Sequence, residues 1–65
     1  MEEFKKGNYK AILRNEKPVR GGPTKVFSVE WYKGGTLLQS TEGYEDYKFA
    51  RAEAEMILNY YAREA

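Results

Sequence analysis

The carboxylates are the residues whose type and spacing come closest to supporting acid–base chemistry. Glu42, Glu45 and Asp46 cluster just before a helix-forming segment, and Glu53 and Glu55 follow within that segment. General acid–base catalysis needs two such groups held in different environments. The sequence gives no sign of a cleft that would separate them. We therefore interpret the first three as a cluster that complements the helix dipole, and we expect no enzymatic activity.

A glycine-rich stretch, Arg20-Gly21-Gly22-Pro23-Thr24-Lys25, has the composition of a phosphate-binding loop. Such a loop needs a strand before it, a helix after it and a complete Gly-to-Lys-Ser/Thr spacing. This stretch leads into a strand-like segment instead, and Pro23 has no N–H to donate. We interpret residues 15–23 as a flexible hairpin loop without phosphate chemistry.

The sequence of 65 residues contains neither cysteine nor histidine. The lack of cysteine excludes disulfides, thiolate metal sites and cysteine nucleophiles, and the lack of histidine excludes imidazole bases and the usual zinc sites. We expect no metal and no cofactor. A chain this short buries only about 60% of its unfolded surface, so dense aromatic packing or self-association must stabilise it.

Basic residues gather on and beside the first predicted hairpin, with aromatic residues Trp31 and Tyr32 nearby. The basic residues are Lys10, Arg14, Lys17, Arg20 and Lys25. A sheet can enter a DNA major groove, and single-stranded nucleic acid can stack on exposed rings. The net charge of +1 and an isoelectric point of about 7.9 are low for such a protein. Nucleic-acid binding is therefore our second hypothesis, and Trp31 also fits a core position.

Alternating apolar and polar residues predict three strands, and an alanine-rich segment predicts a helix after them. The predicted parts are an N-terminal segment 1–7, strands 8–14, 25–33 and 36–41, and a helix from 47 to about 63. Gly34-Gly35 fits a two-residue turn, Asp46 fits a helix N-cap, and Leu37 and Leu38 are expected on opposite sheet faces. The prediction is one α+β domain over 1–65, a three-stranded antiparallel sheet followed by one C-terminal α-helix in two layers, β-β-β-α.

The predicted helix carries two apolar stripes at about 100° per residue, where one is usual. The first consists of Tyr47, Ala50, Ala54, Ile57, Leu58 and Tyr61. The second consists of Phe49, Ala52, Met56 and Tyr60. We expect three strands to cover one stripe, with Ala50 and Ala54 allowing close approach to the sheet. The second stripe then binds a protein partner or a second copy of the chain, unless the Phe4 segment or the long loop folds over it.

The run from Phe27 to Tyr44, followed by an alanine-bearing helix, resembles the YegP-type family of small domains of unknown function. The matching pieces are Gly34-Gly35, Leu37-Leu38, Ser40-Thr41-Glu42-Gly43-Tyr44 and the helix from Tyr47. The family's turn usually carries Asn-Gly, and an extra threonine separates Ser40 from Glu42 here. The resemblance covers about half of the chain. It implies a ββ(β)α unit that often occurs as two packed copies, and it implies no functional residues.

Charge is distributed unevenly along the chain. Residues 1–33 carry eight basic and four acidic groups, and residues 34–65 carry three basic and six acidic groups. The N-terminus lacks the apolar core of a signal peptide, and no apolar run is long enough to span a membrane. We expect a cytoplasmic, small, non-enzymatic protein-binding module of adaptor or inhibitor type, with nucleic-acid binding as the alternative.

Overall fold

The computed structural model describes residues 1–16 and 26–64. The elements in chain order are β1 (Glu2–Lys6), β2 (Tyr9–Glu16), β3 (Val26–Lys33), β4 (Thr36–Tyr44) and α1 (Tyr47–Glu64). The four strands form one antiparallel sheet in the order β1-β2-β3-β4, and α1 packs on one of its faces. The prediction of an α+β fold with a C-terminal helix is therefore confirmed.

The sheet has four strands, so the prediction of three is wrong. The additional strand, β1, lies within the N-terminal segment 1–7 and pairs with β2 along its whole length. Four of its five residues are charged, which conceals the alternation of a strand, and only Phe4 packs against the core. Charged side chains suit an edge strand because they discourage pairing with other chains. Gly7, with a φ of 61°, forms the tight turn into β2 with Asn8.

The strand β2 extends farther than its sequence pattern predicts. Asn15 and Glu16 belong to the strand, where they pair with Phe27 and Val26 of β3. The predicted loop 15–23 therefore begins at least two residues too early, and its remainder lies outside the described residues. A Ser28 hydroxyl donates a 3.0 Å hydrogen bond to the Glu16 carboxylate, which secures this end of the strand pair.

The strand β4 is irregular where it pairs with β3. The register shifts between Trp31 and Tyr32, so that Leu37 lies opposite Tyr32. Leu37 therefore lies with Tyr32 on the sheet face away from α1, and Leu37 and Leu38 are 50% and 40% exposed. The expectation that the two leucines point to opposite faces assumed an unbroken alternation, which the register shift interrupts, so it stays a prediction.

The hydrophobic core lies between the sheet and α1. The buried residues of this core are Tyr9, Ala11, Leu13, Phe27, Val29, Trp31, Ala50, Ala54 and Leu58. Trp31 is fully buried, and its Nε1 donates a 3.1 Å hydrogen bond to the carbonyl oxygen of Ala54 in the middle of the helix. Ala50 and Ala54 are fully buried as well, because small side chains let the helix approach the sheet closely.

Asp46 caps α1 as its sequence position predicts. Its carboxylate accepts a 3.1 Å hydrogen bond from the backbone N–H of Lys48, and its carbonyl accepts one from Ala50 at 3.0 Å. Arg63 stands in the last turn, where a cation complements the negative end of the helix dipole. The cap and the two buried alanines fix both where the helix begins and which side faces the sheet.

Candidate functional site

The second predicted stripe of α1 is exposed in the folded chain. We call it the outer stripe, and it consists of Phe49, Ala52, Met56 and Tyr60. Phe49 is 55% exposed, Met56 59% and Tyr60 54%, and Ala52 is exposed too. Isolated apolar residues on a surface are ordinary, but here three large ones share one stripe along a single helix, as at sites of protein interaction.

The N-terminal segment does not cover the outer stripe. Phe4 lies in β1 and packs against the core from the sheet side, with the guanidinium of Arg51 5.9 Å from its ring centre. Lys6 hydrogen-bonds to Asn59 on the same flank of the helix. This flank faces β1, whereas the outer stripe faces away from the sheet. The other candidate cover, the long loop, lies mostly outside the described residues.

Two residues of the outer stripe, Phe49 and Tyr60, pack against half-buried aromatic rings. Phe49 contacts Tyr44 at the end of β4, with ring centres 5.7 Å apart and planes inclined by 55°. Tyr60 contacts Tyr61 edge-on at 6.0 Å, and Tyr61 stacks on Tyr9 of the core at 5.9 Å. Rings held in this way have less freedom to lose when a partner binds. The exposed aromatics are therefore preorganised by contacts that reach the core.

Tyr44 extends the apolar surface from the helix onto the sheet, a contribution that the sequence reasoning missed. Helical periodicity could not include it because it is the last residue of β4. Burial raises the pKa of its phenol above the ordinary value, against the opposing effect of a hydrogen bond with Thr41. The phenol therefore stays neutral over the physiological range, and the surface beside Phe49 carries no charge at that point.

The basic residues of the second hypothesis are partly neutralised where the structure describes them. Lys10 forms an ion pair with Glu3 at 3.8 Å, and Arg14 forms one with Glu30 at 3.1 Å. The hydrogen bond and the negative charge of Glu30 raise the pKa of Arg14. Lys10 and Arg14 lie on one face of β2, four residues apart along the strand. The other three, Lys17, Arg20 and Lys25, lie outside the described residues.

The aromatic residues near the basic hairpin are not arranged as a stacking platform. Trp31 is fully buried in the core, which confirms its interpretation as a core residue. Tyr32 lies half-buried on the open face, and its hydroxyl donates a 3.2 Å hydrogen bond to Glu30. The Lys10 ammonium lies 5.6 Å from the Tyr32 ring centre, over a face that a base would otherwise occupy.

The carboxylates do not form an acid–base pair in the described part of the chain. Asp46 is engaged in capping, while Glu42 and Glu45 are exposed to solvent. A groove of about 330 Å³ between β1 and α1 contains one carboxylate, that of Glu55, beside Lys5 and Lys6. Among residues 1–16 and 26–64, no group of three potential ligands could hold a metal ion. Nor does the described helix have the length and apolar character needed to cross a membrane.

Comparison with known proteins returned no similarity: no family model matches the chain, and neither a curated protein nor a solved structure does. The resemblance to YegP-type domains therefore remains a prediction from a short motif. Among the described residues of α1, the outer stripe holds three large apolar side chains that are each more than half exposed.

Proposed function

We propose that this chain is a small, non-enzymatic protein-binding module whose binding surface is the outer stripe of α1. The observation that carries the proposal is the exposure of Phe49, Met56 and Tyr60, each by more than half, on a helix that buries Ala50, Ala54 and Leu58 against the sheet. Aromatic residues and methionine are the types enriched in the cores of protein interfaces. A module of this size acts as an adaptor or an inhibitor, by occupying a surface on a larger protein or on its own copy.

Burying the outer stripe is expected to contribute enough free energy to hold a partner. Fully burying one large apolar side chain contributes roughly 1.5–3 kcal/mol, and each of these three still has about half of its surface to bury. The total is several kcal/mol before the costs of association are subtracted. The contacts with Tyr44 and Tyr61 reduce those costs, because they restrict the two aromatic rings before binding.

Sedimentation of a labelled chain tests this proposal. A single dye is attached through Thr36→Cys, an exposed position on the sheet at the start of β4. The labelled protein is sedimented alone over a range of concentrations and again in cell extract. We expect a species heavier than the 7.6 kDa chain in at least one condition, and we expect Met56→Glu to abolish it by placing a charge in the apolar surface.

The matched control is Lys48→Glu, on the exposed polar arc of the same helix. It adds a carboxylate as Met56→Glu does and also removes an ammonium group, so its change in net charge is the larger one. A loss of the heavier species that is confined to Met56→Glu is therefore an effect of the outer stripe and not of charge in general. Retention of the heavier species by Met56→Glu, or its equal loss in both variants, contradicts the proposal.

The sedimentation experiment also tests the alternative, nucleic-acid binding. Complexes held by phosphate contacts weaken steeply between low and moderate salt and disappear after nuclease treatment, whereas an apolar interface barely responds. We expect the double substitution Arg14→Ala with Arg20→Ala to leave the heavier species largely intact. Its complete loss in a folded double variant, together with nuclease sensitivity, would establish the alternative.

A further inference from the structure

We infer that the partner on the outer stripe is a second copy of this chain, packed antiparallel to the first about a two-fold axis near the middle of α1. The inference rests on the proposed function, because it names the occupant of the same surface. Three features of α1 support it: the order of residue sizes along the outer stripe, the charges at the two ends of the helix and the area of the exposed face.

When two copies of the outer stripe run antiparallel, their large and small side chains fit against each other. Phe49 and Tyr60 are eleven residues apart, and the inner pair, Ala52 and Met56, is centred within one residue of the same midpoint. An antiparallel copy therefore places Phe49 against the partner's Tyr60 at both ends of the interface. Near the axis it places the small Ala52 against the partner's Met56, so that one large side chain fills the space left by a small one.

The spacing of the stripe suits two helices that lie side by side. Steps of three and four residues from Phe49 to Ala52 to Met56 produce the narrow seam that is typical of paired helices crossing at about 20°. Exposed alanine near the crossing point permits the interaxial distance of about 8–10 Å that such packing requires. A partner that contributed a broad or concave surface would leave this narrow seam only partly covered.

Charges at the ends of α1 favour the antiparallel orientation. Glu45 and Asp46 precede the first turn, and Arg63 and Glu64 lie in the last turn, all four exposed. Arg63 follows Met56 by seven residues and therefore lies on the same side of the helix as the outer stripe, whereas Glu64 is displaced from it. An antiparallel copy brings Arg63 toward the partner's Asp46 at each end, and it also sets the two helix dipoles in opposition. A parallel copy would instead bring the acidic ends together.

The size of the interface sets the expected strength of the dimer. An α-helix of 18 residues is about 27 Å long, so one of its faces offers less than the roughly 800 Å² per partner of a standard interface. Tyr44 adds to this area beside Phe49. We therefore expect a reversible dimer with a dissociation constant of roughly 1–100 µM, so that dimers predominate at several hundred micromolar and are absent at nanomolar concentration.

Disulfide trapping tests both the occupant and its orientation, and the cysteine-free sequence makes each introduced thiol the only one present. Ala52→Cys and Met56→Cys proteins are oxidised separately and as an equimolar mixture at several hundred micromolar. We expect the mixture to yield mainly the mixed disulfide, identified by mass, because the two positions face each other across the axis. Lys48→Cys, on the polar arc, is the control and should cross-link only at the background rate.

Each other outcome overturns the inference. Efficient self-linking of Ala52→Cys indicates a parallel pair, and trapping no better than with Lys48→Cys indicates that the stripe does not face a second copy. If the unmodified chain sediments at 7.6 kDa up to several hundred micromolar, the occupant is not this chain. In that last case the proposed function still stands or falls on the extract experiment, where Met56→Glu must remove a heavier species of different composition.

Discussion

Trp31 fixes the spacing between sheet and helix in this small fold. The indole is fully buried on β3, and its Nε1 donates to the Ala54 carbonyl, which lies on the helix at a point where the side chain is only a methyl group. A buried indole without an acceptor would carry the cost of an unmet hydrogen bond. The pairing of a large donor with a small neighbour therefore allows close packing and hydrogen-bond satisfaction at one position.

The substitution Trp31→Phe should lower the free energy of unfolding by about 2–3 kcal/mol. The loss combines a hydrogen bond worth about 1 kcal/mol with the smaller volume of the ring in a closely packed core. Urea unfolding followed by circular dichroism measures the change, since the sequence has one tryptophan and the variant has none. Tyr60→Phe is the control, with an expected change within about 0.5 kcal/mol. A change below 0.5 kcal/mol in Trp31→Phe would mean that the hydrogen bond to Ala54 and the close packing of the indole do not stabilise the fold.

Tyr44 should make the stability sensitive to alkaline pH. Burial raises the pKa of its phenol in the folded chain above the value of about 10 that it has when unfolded. The folded state therefore holds this proton more tightly, and the stabilisation is complete below pH 10 and is lost as the pH rises through the folded pKa. We expect the free energy of unfolding to fall less between pH 9 and about pH 11 in Tyr44→Phe than in the unmodified chain. An identical fall in both proteins would show that Tyr44 does not contribute.

The hairpin of β3 and β4 depends on one glycine of its turn more than on the other. Gly34 has a φ of 61°, and its N–H donates a 2.9 Å hydrogen bond to the carbonyl of Asn8 in the neighbouring turn. No atom lies within 4 Å of a side-chain carbon added at either Gly34 or Gly35. Any difference between the two substitutions must therefore come from the backbone and not from a clash.

We accordingly expect Gly34→Ala to destabilise the chain by about 1–2 kcal/mol, the cost of a left-handed conformation for a residue with a side chain. Gly35→Ala should change the free energy of unfolding by less than about 0.5 kcal/mol, because Gly35 has no positive φ. Chemical denaturation of the two variants in parallel provides the measurement. Equal destabilisation by both substitutions would mean that the turn conformation is not what distinguishes them.

Sequence patterns predicted elements in this chain where a single physical cause dominates. The helix was predictable because Asp46 caps it and alanines follow, and β3 was predictable because its apolar residues alternate without interruption. β1 was not predictable, because four of its five residues are charged and show no apolar alternation; its strand conformation depends on pairing with β2. The register shift in β4 could not be read from Leu37-Leu38, since it depends on how the strand meets Tyr32.

The candidate surface was likewise predictable from the sequence only in part. Phe49, Ala52, Met56 and Tyr60 share a stripe by periodicity alone, and the sequence therefore predicted their common position. That they lie opposite the core, rather than under a covering strand, follows from the packing of α1 on the sheet. The addition of Tyr44 depends on a turn between strand and helix that no periodicity describes.

Within residues 1–16 and 26–64, the lysines of the first three strands and the carboxylates that precede α1 lie at opposite ends of the sheet. Lysines gather near the two turns beside Gly7 and Gly34, at the end of the sheet where α1 finishes. The lysines of this end are Lys5, Lys6, Lys10 and Lys33. The acidic residues Glu42, Glu45 and Asp46 lie at the opposite end, where α1 begins. A two-fold antiparallel pair places the basic end of one chain beside the acidic end of the other, which agrees with the orientation inferred from the helix alone.

The inferred dimer gives the whole molecule a stability that depends on concentration. Unfolding that separates two chains becomes less favourable by about 1.4 kcal/mol per dimer for each tenfold increase in protein concentration, or about 0.7 kcal/mol per chain. For a domain of this size, that corresponds to a rise in the thermal midpoint of roughly 3–5 °C.

We expect the thermal midpoint of the unmodified chain to rise in this way at protein concentrations above the dissociation constant. Met56→Glu should unfold at one temperature throughout, because it removes the interface, and Lys48→Glu should behave as the unmodified chain does. A midpoint that is independent of concentration in all three proteins would contradict the dimer, because it would mean that unfolding does not separate two chains.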